Sequence, residues 1–198
     1  MKSSTPDLEA LSDNSLMAKV RDGDLDRLGL LFERYKKPLY GFFYGLNRQQ
    51  ELSEDLVQNT FLRILKYRHL FRNEPTRGLS GGDFRAWMFQ IARNVNNDHH
   101  RGNKIKAKEE LEDWQDKLGH NENKSTEMLQ ADTHEMLSMA MERLPMDKRE
   151  VLLLSKYQEK KYSEIGEILG CSEGAVKVKV FRALQELKEV YKQLEKQM

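Results

Sequence analysis

Apolar side chains recur every three to four residues along most of this 198-residue chain, and this spacing limits its possible folds more than any other feature. The longest run extends from Leu25 to Leu46 and crosses Pro38, where we expect the helix to kink. The alternation of apolar and polar residues that is typical of strands is nearly absent. The spacing therefore predicts an all-α protein.

The helical segments fall into two groups. The first half contains four of them, for which we predict the N-terminal capping residues Asp13, Asp24, Ser53 and Asp83. The stretch at 102–131 is polar and acidic, which indicates a flexible linker, and helical spacing resumes after it. We predict two small helical domains, 13–103 and 132–196, joined by a flexible linker at 104–131, with a helix-turn-helix in the second domain.

The charge of the chain is unevenly distributed although its net value is only +1. Ten Lys and Arg stand against three acidic residues between Lys66 and Lys108, and seven acidic residues stand against two Lys between Glu109 and Glu127. A basic block of this kind favours binding of a polyanion to the first domain, although charged runs are also common on solvated helix faces.

Several classes of protein are excluded or disfavoured by what the sequence lacks. The single Cys171 permits no intrachain disulfide, and no stretch approaches the roughly 20 apolar residues of a membrane span. Neither a Gly-rich phosphate loop nor a known hydrolase motif occurs, and the scattered His residues make a poor metal site. We expect a cytoplasmic protein that is not an enzyme, with no cofactor, no metal and no small-molecule substrate.

Residues 170–184, GCSEGAVKVKVFRAL, combine a tight turn with a helix whose outer face is apolar and basic. Helical spacing places Val176, Val180, Ala183, Leu184 and Leu187 in the core. With the short helix at 163–169 the segment has helix-turn-helix proportions, in which the second helix enters a DNA groove. The alternative is a helical hairpin whose Phe181 packs on another subunit. The residues expected to contact DNA are Ser172, Glu173, Gly174, Lys177, Val178, Lys179, Phe181 and Arg182.

The segment at 84–101 has amide and guanidinium groups on the face opposite Trp87 and Val95, beside a basic loop that contains aromatic residues. Aromatic and cationic groups together suit single-stranded nucleic acid, because unpaired bases stack and phosphates require positive charge. The alternative is that these polar groups are solvated or brace the helix end. The candidates are Phe71, Arg72, Asn73, Gln90, Arg93, Asn94, Asn97, Asp98 and Arg101.

A third candidate surface lies on the predicted helix at 53–65, away from its apolar stripe. It contains an exposed leucine among polar groups, which is typical of a protein-docking face, although single exposed leucines are common. Its residues are Asp55, Gln58, Asn59, Leu62 and Arg63.

Four strings in series give the chain its resemblance to a known family. They are DLVQNTFLRIL at 55–65, FRAWMFQIARNVNNDHHR at 84–101, LPMDKREVLLL at 144–154 and YSEIGEILGCSEGAVKVKVFRALQEL at 162–187. In this order they resemble an extracytoplasmic-function (ECF) RNA polymerase sigma factor of the minimal two-domain type.

The resemblance implies a bacterial transcription initiation factor for a stress- or signal-responsive set of promoters. Its first domain would bind the β′ clamp helices of core RNA polymerase through the 55–63 face, and would melt the −10 promoter element with the 84–101 helix and the preceding loop. Its second domain would contact the β flap and read the −35 element. An anti-sigma factor, often at the inner membrane, is the further partner implied.

Three residues depart from the family's usual pattern in the last helix. Ala175 and Val178 stand where Thr and Ser are common, and Lys179 replaces a frequent Arg. The two missing hydroxyls remove hydrogen bonds to phosphate or base, so we expect an altered −35 preference.

Two other functions fit parts of the sequence. A self-sufficient helix-turn-helix regulator would bind duplex DNA tightly without polymerase. An adaptor with basic helices would bind an acidic partner but would open no promoter. The twelve Lys and Arg of 132–198 are balanced by twelve Asp and Glu, which predicts weak affinity of this domain for free DNA.

Overall fold

The computed structural model describes residues 11–72, 82–111, 131–157 and 160–197. In these ranges the chain forms helices and no strands, which confirms the all-α prediction. The helices are α1 (Asp13–Arg21), α2 (Arg27–Asn47), α3 (Gln50–Tyr67), α4 (Phe84–Leu111), α5 (Ala131–Arg143), α6 (Met146–Leu152), α7 (Tyr162–Leu169) and α8 (Glu173–Glu195). A 3₁₀ turn (Arg68–Leu70) follows α3, and a π-helical turn (Leu153–Tyr157) extends α6.

The caps of the first helices differ from the predicted ones. Ser12 accepts the hydrogen bond at the start of α1, and Asp13 is the first helical residue. Asp24 lies before α2 and forms an ion pair with Arg27 at 2.9 Å. Ser53 lies inside α3, where its hydroxyl donates to the main-chain oxygen of Gln49, because the helix begins one turn earlier than its apolar pattern.

The first module consists of α1 to α4, which are packed around aromatic and aliphatic side chains. Phe42 of α2 and Phe89 of α4 meet edge to face with ring centroids 5.5 Å apart, and both are fully buried. The α2 helix continues through Pro38. The α4 helix extends to Leu111, beyond the predicted domain end at 103, and 112–130 lie outside the described residues.

The second module, α5 to α8, contains the predicted helix-turn-helix in α7 and α8. Gly170 ends α7 in the left-handed region with φ of 67°, a conformation that favours glycine. Ser172 accepts a hydrogen bond from the Ala175 amide at 3.2 Å and so caps α8 as predicted. At Gly166 a Cβ atom would lie 2.6 Å from the main-chain oxygen of Cys171, so this tight turn requires glycine there.

The two modules pack directly against each other. The α4 helix contacts α7, and α2 contacts α6 and the π-helical turn. Buried residues of α2 and α4 therefore belong to the same hydrophobic core as Leu153, Leu154 and Ile165 of the second module. The sequence predicted two modules on a tether but contained no signal for this packing.

Candidate nucleic-acid interface

The outer face of α8 is exposed over its whole predicted DNA-contacting length. Val178 is 48% and Phe181 60% exposed, while Val176, Val180 and Ala183 on the opposite face are buried. All eight predicted DNA contacts are solvent-exposed side chains or, at Gly174, exposed backbone. Each predicted contact is thus accessible, but helical spacing places Lys179 and Phe181 on roughly opposite sides of α8.

Near the start of α8, a positive and a negative side chain on this face are paired with each other. Lys177 forms an ion pair with Glu173 one turn earlier at 2.9 Å, and the hydrogen bond between them raises the pKa of Lys177. A Cβ atom at Gly174 would find only the Ser172 hydroxyl, 4.0 Å away. The backbone there is therefore open to close approach by a ligand.

The prediction that Leu184 is a core residue is wrong. It is 38% exposed because it faces a shallow groove between α5 and α8 rather than the centre of the module. The groove encloses about 330 Å³ and is lined by Leu137, Leu184, Leu187, Lys188, Tyr191, Lys192 and Glu195.

The prediction that Phe71 stacks on unpaired bases is contradicted by its burial. Only 1% of Phe71 is exposed, since its ring packs against Trp87 at 5.4 Å and Phe84 at 6.3 Å between centroids. Apolar burial stabilises the ring in this position, so it belongs to the core of the first module. Arg72, the next residue, is exposed, and Asn73 lies outside the described residues.

The polar face of α4 divides into an open part and a covered part. Asn94, Asp98 and Arg101 are exposed and Asn97 is half-buried. Gln90 and Arg93 instead contact the second module, as their hydrogen bonds show. The predicted single-strand set is thus only partly accessible.

The predicted docking face on α3 is exposed. Leu62 is 62% exposed, and Asp55, Gln58 and Asn59 surround it on the solvent side. Arg63 forms an ion pair with Asp98 of α4 at 2.7 Å, so this face joins the polar face of α4.

A groove of about 330 Å³ between α2 and α3 adjoins the docking face, and the sequence reasoning missed it. It is lined by Phe32, Lys36, Lys37, Tyr40, Glu54, Val57 and Gln58. Phe32 had the spacing of a core residue, yet it is only half-buried, with its ring against Phe61 at 5.0 Å. Only packing of α2 on α3 creates the groove, because each helix alone shows an ordinary amphipathic pattern.

Two classes of site do not occur in the parts of the chain that the structure describes. Acidic, His and Cys side chains form no cluster there that could hold a metal ion. None of the described helices is both long enough and apolar enough to span a bilayer.

Two family models match the modules separately. Sigma-70 region 2 matches residues 31–105, and Sigma-70, region 4 matches residues 134–187. The first match covers the docking face and most of α4, and the second covers the helix-turn-helix.

Three curated relatives are similar over most of the chain. RNA polymerase sigma factor CarQ of Myxococcus xanthus is 32% identical, with 90% of this chain and 97% of the relative covered. ECF RNA polymerase sigma factor SigM of Bacillus subtilis is 30% identical, with 81% and 93% covered. The chain spans 63% of the length of ECF RNA polymerase sigma factor BldN of Streptomyces coelicolor, which is 27% identical over 87% of this chain.

The fold is also found in a solved structure, that of the sigma factor RpoE in complex with the anti-sigma factor NepR from Bartonella quintana. The two chains superpose with a TM-score of 0.61 at 23% identity, and the match covers 85% of this chain and 97% of the other. The chain contains two Sigma-70 regions in series, and its sequence is 30% identical to SigM over 93% of that relative. The chain therefore belongs to the ECF family of RNA polymerase sigma factors, whose members direct transcription initiation at promoters.

Proposed function

We propose that this chain is a cytoplasmic promoter-specificity subunit with no catalytic activity of its own. It binds bacterial core RNA polymerase, reads a −35 element as duplex, and opens and holds a −10 element for a stress- or signal-responsive set of promoters. The observation that carries the proposal is the outer face of α8, where Val178 and Phe181 are about half exposed beside Lys177 and Arg182. Apolar groups exposed among cations are suited to a groove that presents thymine methyl groups between phosphates.

At the −35 element, α8 enters the major groove with its N-terminal part foremost. Val178 and Phe181 contact thymine methyl groups, while Lys179 and Arg182 contact phosphates or base edges. Gly174 supports this geometry because the space around it is open. Since Val178 presents methyl groups instead of a hydroxyl, the preference at its base pair shifts towards an apolar edge.

At the −10 element, the polar face of α4 holds the melted strand. Asn94, Asn97 and Arg101 offer amide and guanidinium donors to an extruded base and its phosphates. Extrusion costs a few kcal/mol, which these contacts and Arg72 offset. Phe71 has no direct role, because it is buried.

Core polymerase is contacted by two surfaces. The α3 face around Leu62, together with the neighbouring α2–α3 groove, forms a continuous exposed surface for the β′ clamp helices. The α5–α8 groove, whose lining includes Leu184, Tyr191 and Lys188, fits an apolar helix of the β flap.

An anti-sigma factor is a further proposed partner. RpoE, which has the same fold as this chain, is found in complex with the anti-sigma factor NepR. An anti-sigma factor at the inner membrane would hold this chain on the cytoplasmic side until an inducing signal releases it.

The decisive experiment combines the purified protein with bacterial core RNA polymerase and a library of promoter fragments. Permanganate reactivity of unpaired thymines then reports strand opening. We expect reactivity only when both proteins are present, at fragments that share a −35 and a −10 sequence.

Two outcomes would contradict the proposal. Tight binding of the isolated protein to promoter duplex at physiological salt would favour a self-sufficient regulator. Binding to polymerase without strand opening at any fragment would favour an adaptor.

A further inference from the structure

The second module covers part of the polar face of α4. Arg93 of α4 donates through Nε to both carboxylate oxygens of Glu150 on α6, at 3.0 and 3.1 Å. Glu150 is only 8% exposed, and the partner of its buried charge is Arg93, on the other side of the module boundary. The Nε–H of an Arg93 held in this way is not available to a phosphate of a melted strand.

Gln90 is engaged in the same manner one turn earlier. Its side-chain amide donates to the main-chain oxygen of Glu167 in α7 at 2.6 Å. Two polar side chains of the α4 face, Gln90 and Arg93, are therefore each hydrogen-bonded to the second module in the free chain.

A buried lysine completes the contact with α4. The Lys160 ammonium lies 4.4 Å from the centre of the Phe89 ring, and the residue is only 9% exposed. A cation over an aromatic face is attracted by the ring, more strongly where water is excluded. Lys161, the next residue, is exposed.

The end of α2 supplies a second area of contact. Arg149 of α6 donates through Nη1 to the main-chain oxygen of Leu46 at 2.6 Å and so satisfies a carbonyl at the helix end. At Gly45, a Cβ atom would lie 2.6 Å from Cδ2 of Leu153, so a side chain at this position must displace the Leu153 side chain at the module boundary.

The other two functional surfaces remain open in this arrangement. Leu62 on the α3 face and Phe181 on α8 are each at least 60% exposed. Closure of the modules thus affects one surface selectively, the single-strand face of α4.

We propose that the free chain is self-masked: the second module occupies the Gln90–Arg93 part of the α4 face, and the modules must separate before a melted strand can bind there. This inference rests on the proposed function only in assigning single strands to α4. Because the α3 face and α8 are exposed in the closed chain, polymerase docking and −35 contact do not require separation. The arrangement weakens the binding of free protein to single-stranded DNA elsewhere in the cell.

A wedge at Gly45 tests this with a matched control on the same helix. Gly45→Glu places a side chain against Leu153, which supplies the three atoms nearest to the added Cβ, whereas Gly41→Glu introduces the same residue one turn earlier, where an added Cβ meets nothing within 4 Å. Far-UV circular dichroism of both full-length variants checks that they fold.

Closure is measured without DNA, by small-angle X-ray scattering and by acylation of Lys160 relative to Lys161 detected by mass spectrometry. We expect Lys160 to be acylated at least about tenfold more slowly than Lys161 in the wild type and in Gly41→Glu. In Gly45→Glu the radius of gyration should increase and the two acylation rates should converge. Equal rates for the two lysines in the wild-type chain would overturn the closed arrangement and leave the proposed function intact.

Masking is measured with a fluorescent pool of random 20-nucleotide single strands. Because apparent affinity falls with the fraction of binding-competent molecules, Gly45→Glu should bind the pool at least about fivefold more tightly than the wild type. An opened Gly45→Glu that binds no more tightly would overturn the masking. If in addition no variant opens promoters with core polymerase, the proposed function itself fails.

A second pair of variants, on α6, tests the same proposal without any change in α2. The result then does not depend on whether Gly45→Glu disturbs that helix. Glu150→Arg places a cation opposite Arg93, and Asp147→Arg makes a similar charge change at an exposed position of the same helix. Only Glu150→Arg should expand the chain and expose Lys160. Unchanged scattering and Lys160 protection in both Glu150→Arg and Gly45→Glu would refute the proposal.

Discussion

At the residue scale, two phenylalanines show why exposure decides the role of a side chain. Phe71 and Phe181 both lie beside basic residues in the sequence, and both were predicted to touch nucleic acid. Phe71 is fully buried against Phe84 and Trp87, whereas Phe181 is 60% exposed on α8. The first therefore stabilises the fold, and only the second is available to DNA.

Replacement of Phe181 should separate function from stability. Phe181→Ala should change the free energy of unfolding by less than about 0.5 kcal/mol, as is usual at exposed sites. Promoter opening with core polymerase should fall on the order of tenfold, the scale of one lost base contact. Val180→Ala, which truncates the buried neighbour, should instead lower thermal stability; a large loss of stability in Phe181→Ala would show that this ring is structural.

In contrast to Phe181→Ala, Phe71→Ala should lower the stability of the fold. Loss of a buried ring is expected to cost about 3–5 kcal/mol of unfolding free energy in urea denaturation. Arg72→Ala, at the adjacent exposed position, should leave stability unchanged and weaken strand opening. If Phe71→Ala were as stable as the wild type, the buried position of the ring would be wrong.

At the element scale, the helix-turn-helix depends on how closely α7 approaches the turn that follows it. Gly166 lies against the main-chain oxygen of Cys171, and the Cys171 amide donates back to the Gly166 oxygen at 2.9 Å. A backbone atom cannot move aside as a flexible side chain can, so any side chain here must shift the turn.

Gly166→Ala should therefore destabilise the chain by about 1–3 kcal/mol, the usual cost of overpacking. Gly174→Ala is the matched control, because its added methyl meets open space in a helix and should stabilise by up to about 1 kcal/mol. Thermal unfolding of both variants measures the difference. Equal midpoints would show that the turn is not tightly packed.

The proposed docking face on α3 contains an exposed leucine, Leu62. Leu62→Asp should leave unfolding unchanged within about 0.5 kcal/mol, since the side chain is 62% exposed. Its affinity for core polymerase should fall at least about tenfold, as for a central interface residue. Leu25→Asp, another exposed leucine at 46%, should bind polymerase normally in the same titration; equal losses in both variants would remove the specificity of the α3 face.

At the scale of the whole molecule, the contact between the modules contains charges that are expensive to bury. Burial raises the pKa of Glu150 although Arg93 attracts its charge, and burial lowers the pKa of Lys160. Asp147 further raises and Lys179 lowers the pKa of Glu150, while Glu164 opposes the shift at Lys160. A buried pair of this kind stabilises little in net terms, so the closed arrangement can open.

The closed arrangement should therefore depend on pH. A carboxyl whose pKa is higher in the closed than in the open chain binds more protons when closed, so closure gains stability as the pH falls through that pKa. Because the pKa of Glu150 is raised, the radius of gyration should decrease as the pH falls from neutral towards the ordinary pKa range of a glutamate carboxyl. Glu150→Gln should abolish this dependence; an unaltered pH profile in that variant would assign it to other groups.

The sequence by itself determined the helices, the turn around Gly170, the cap at Ser172 and the outward face of α8. These follow from local spacing and from the conformational preferences of single residues. It also placed Leu62 on the solvent side of α3, because helical periodicity alone separates that residue from the apolar stripe.

Only the tertiary structure decided the burial of Phe71, the groove between α2 and α3, and the contacts of Glu150 and Lys160. Each depends on atoms far apart in the chain, such as the carboxylate that meets Arg93 across 57 positions. Local patterns cannot distinguish a charged side chain in water from one buried against a partner. The free energy that selects between these positions comes from packing and desolvation, which exist only once the modules have come together.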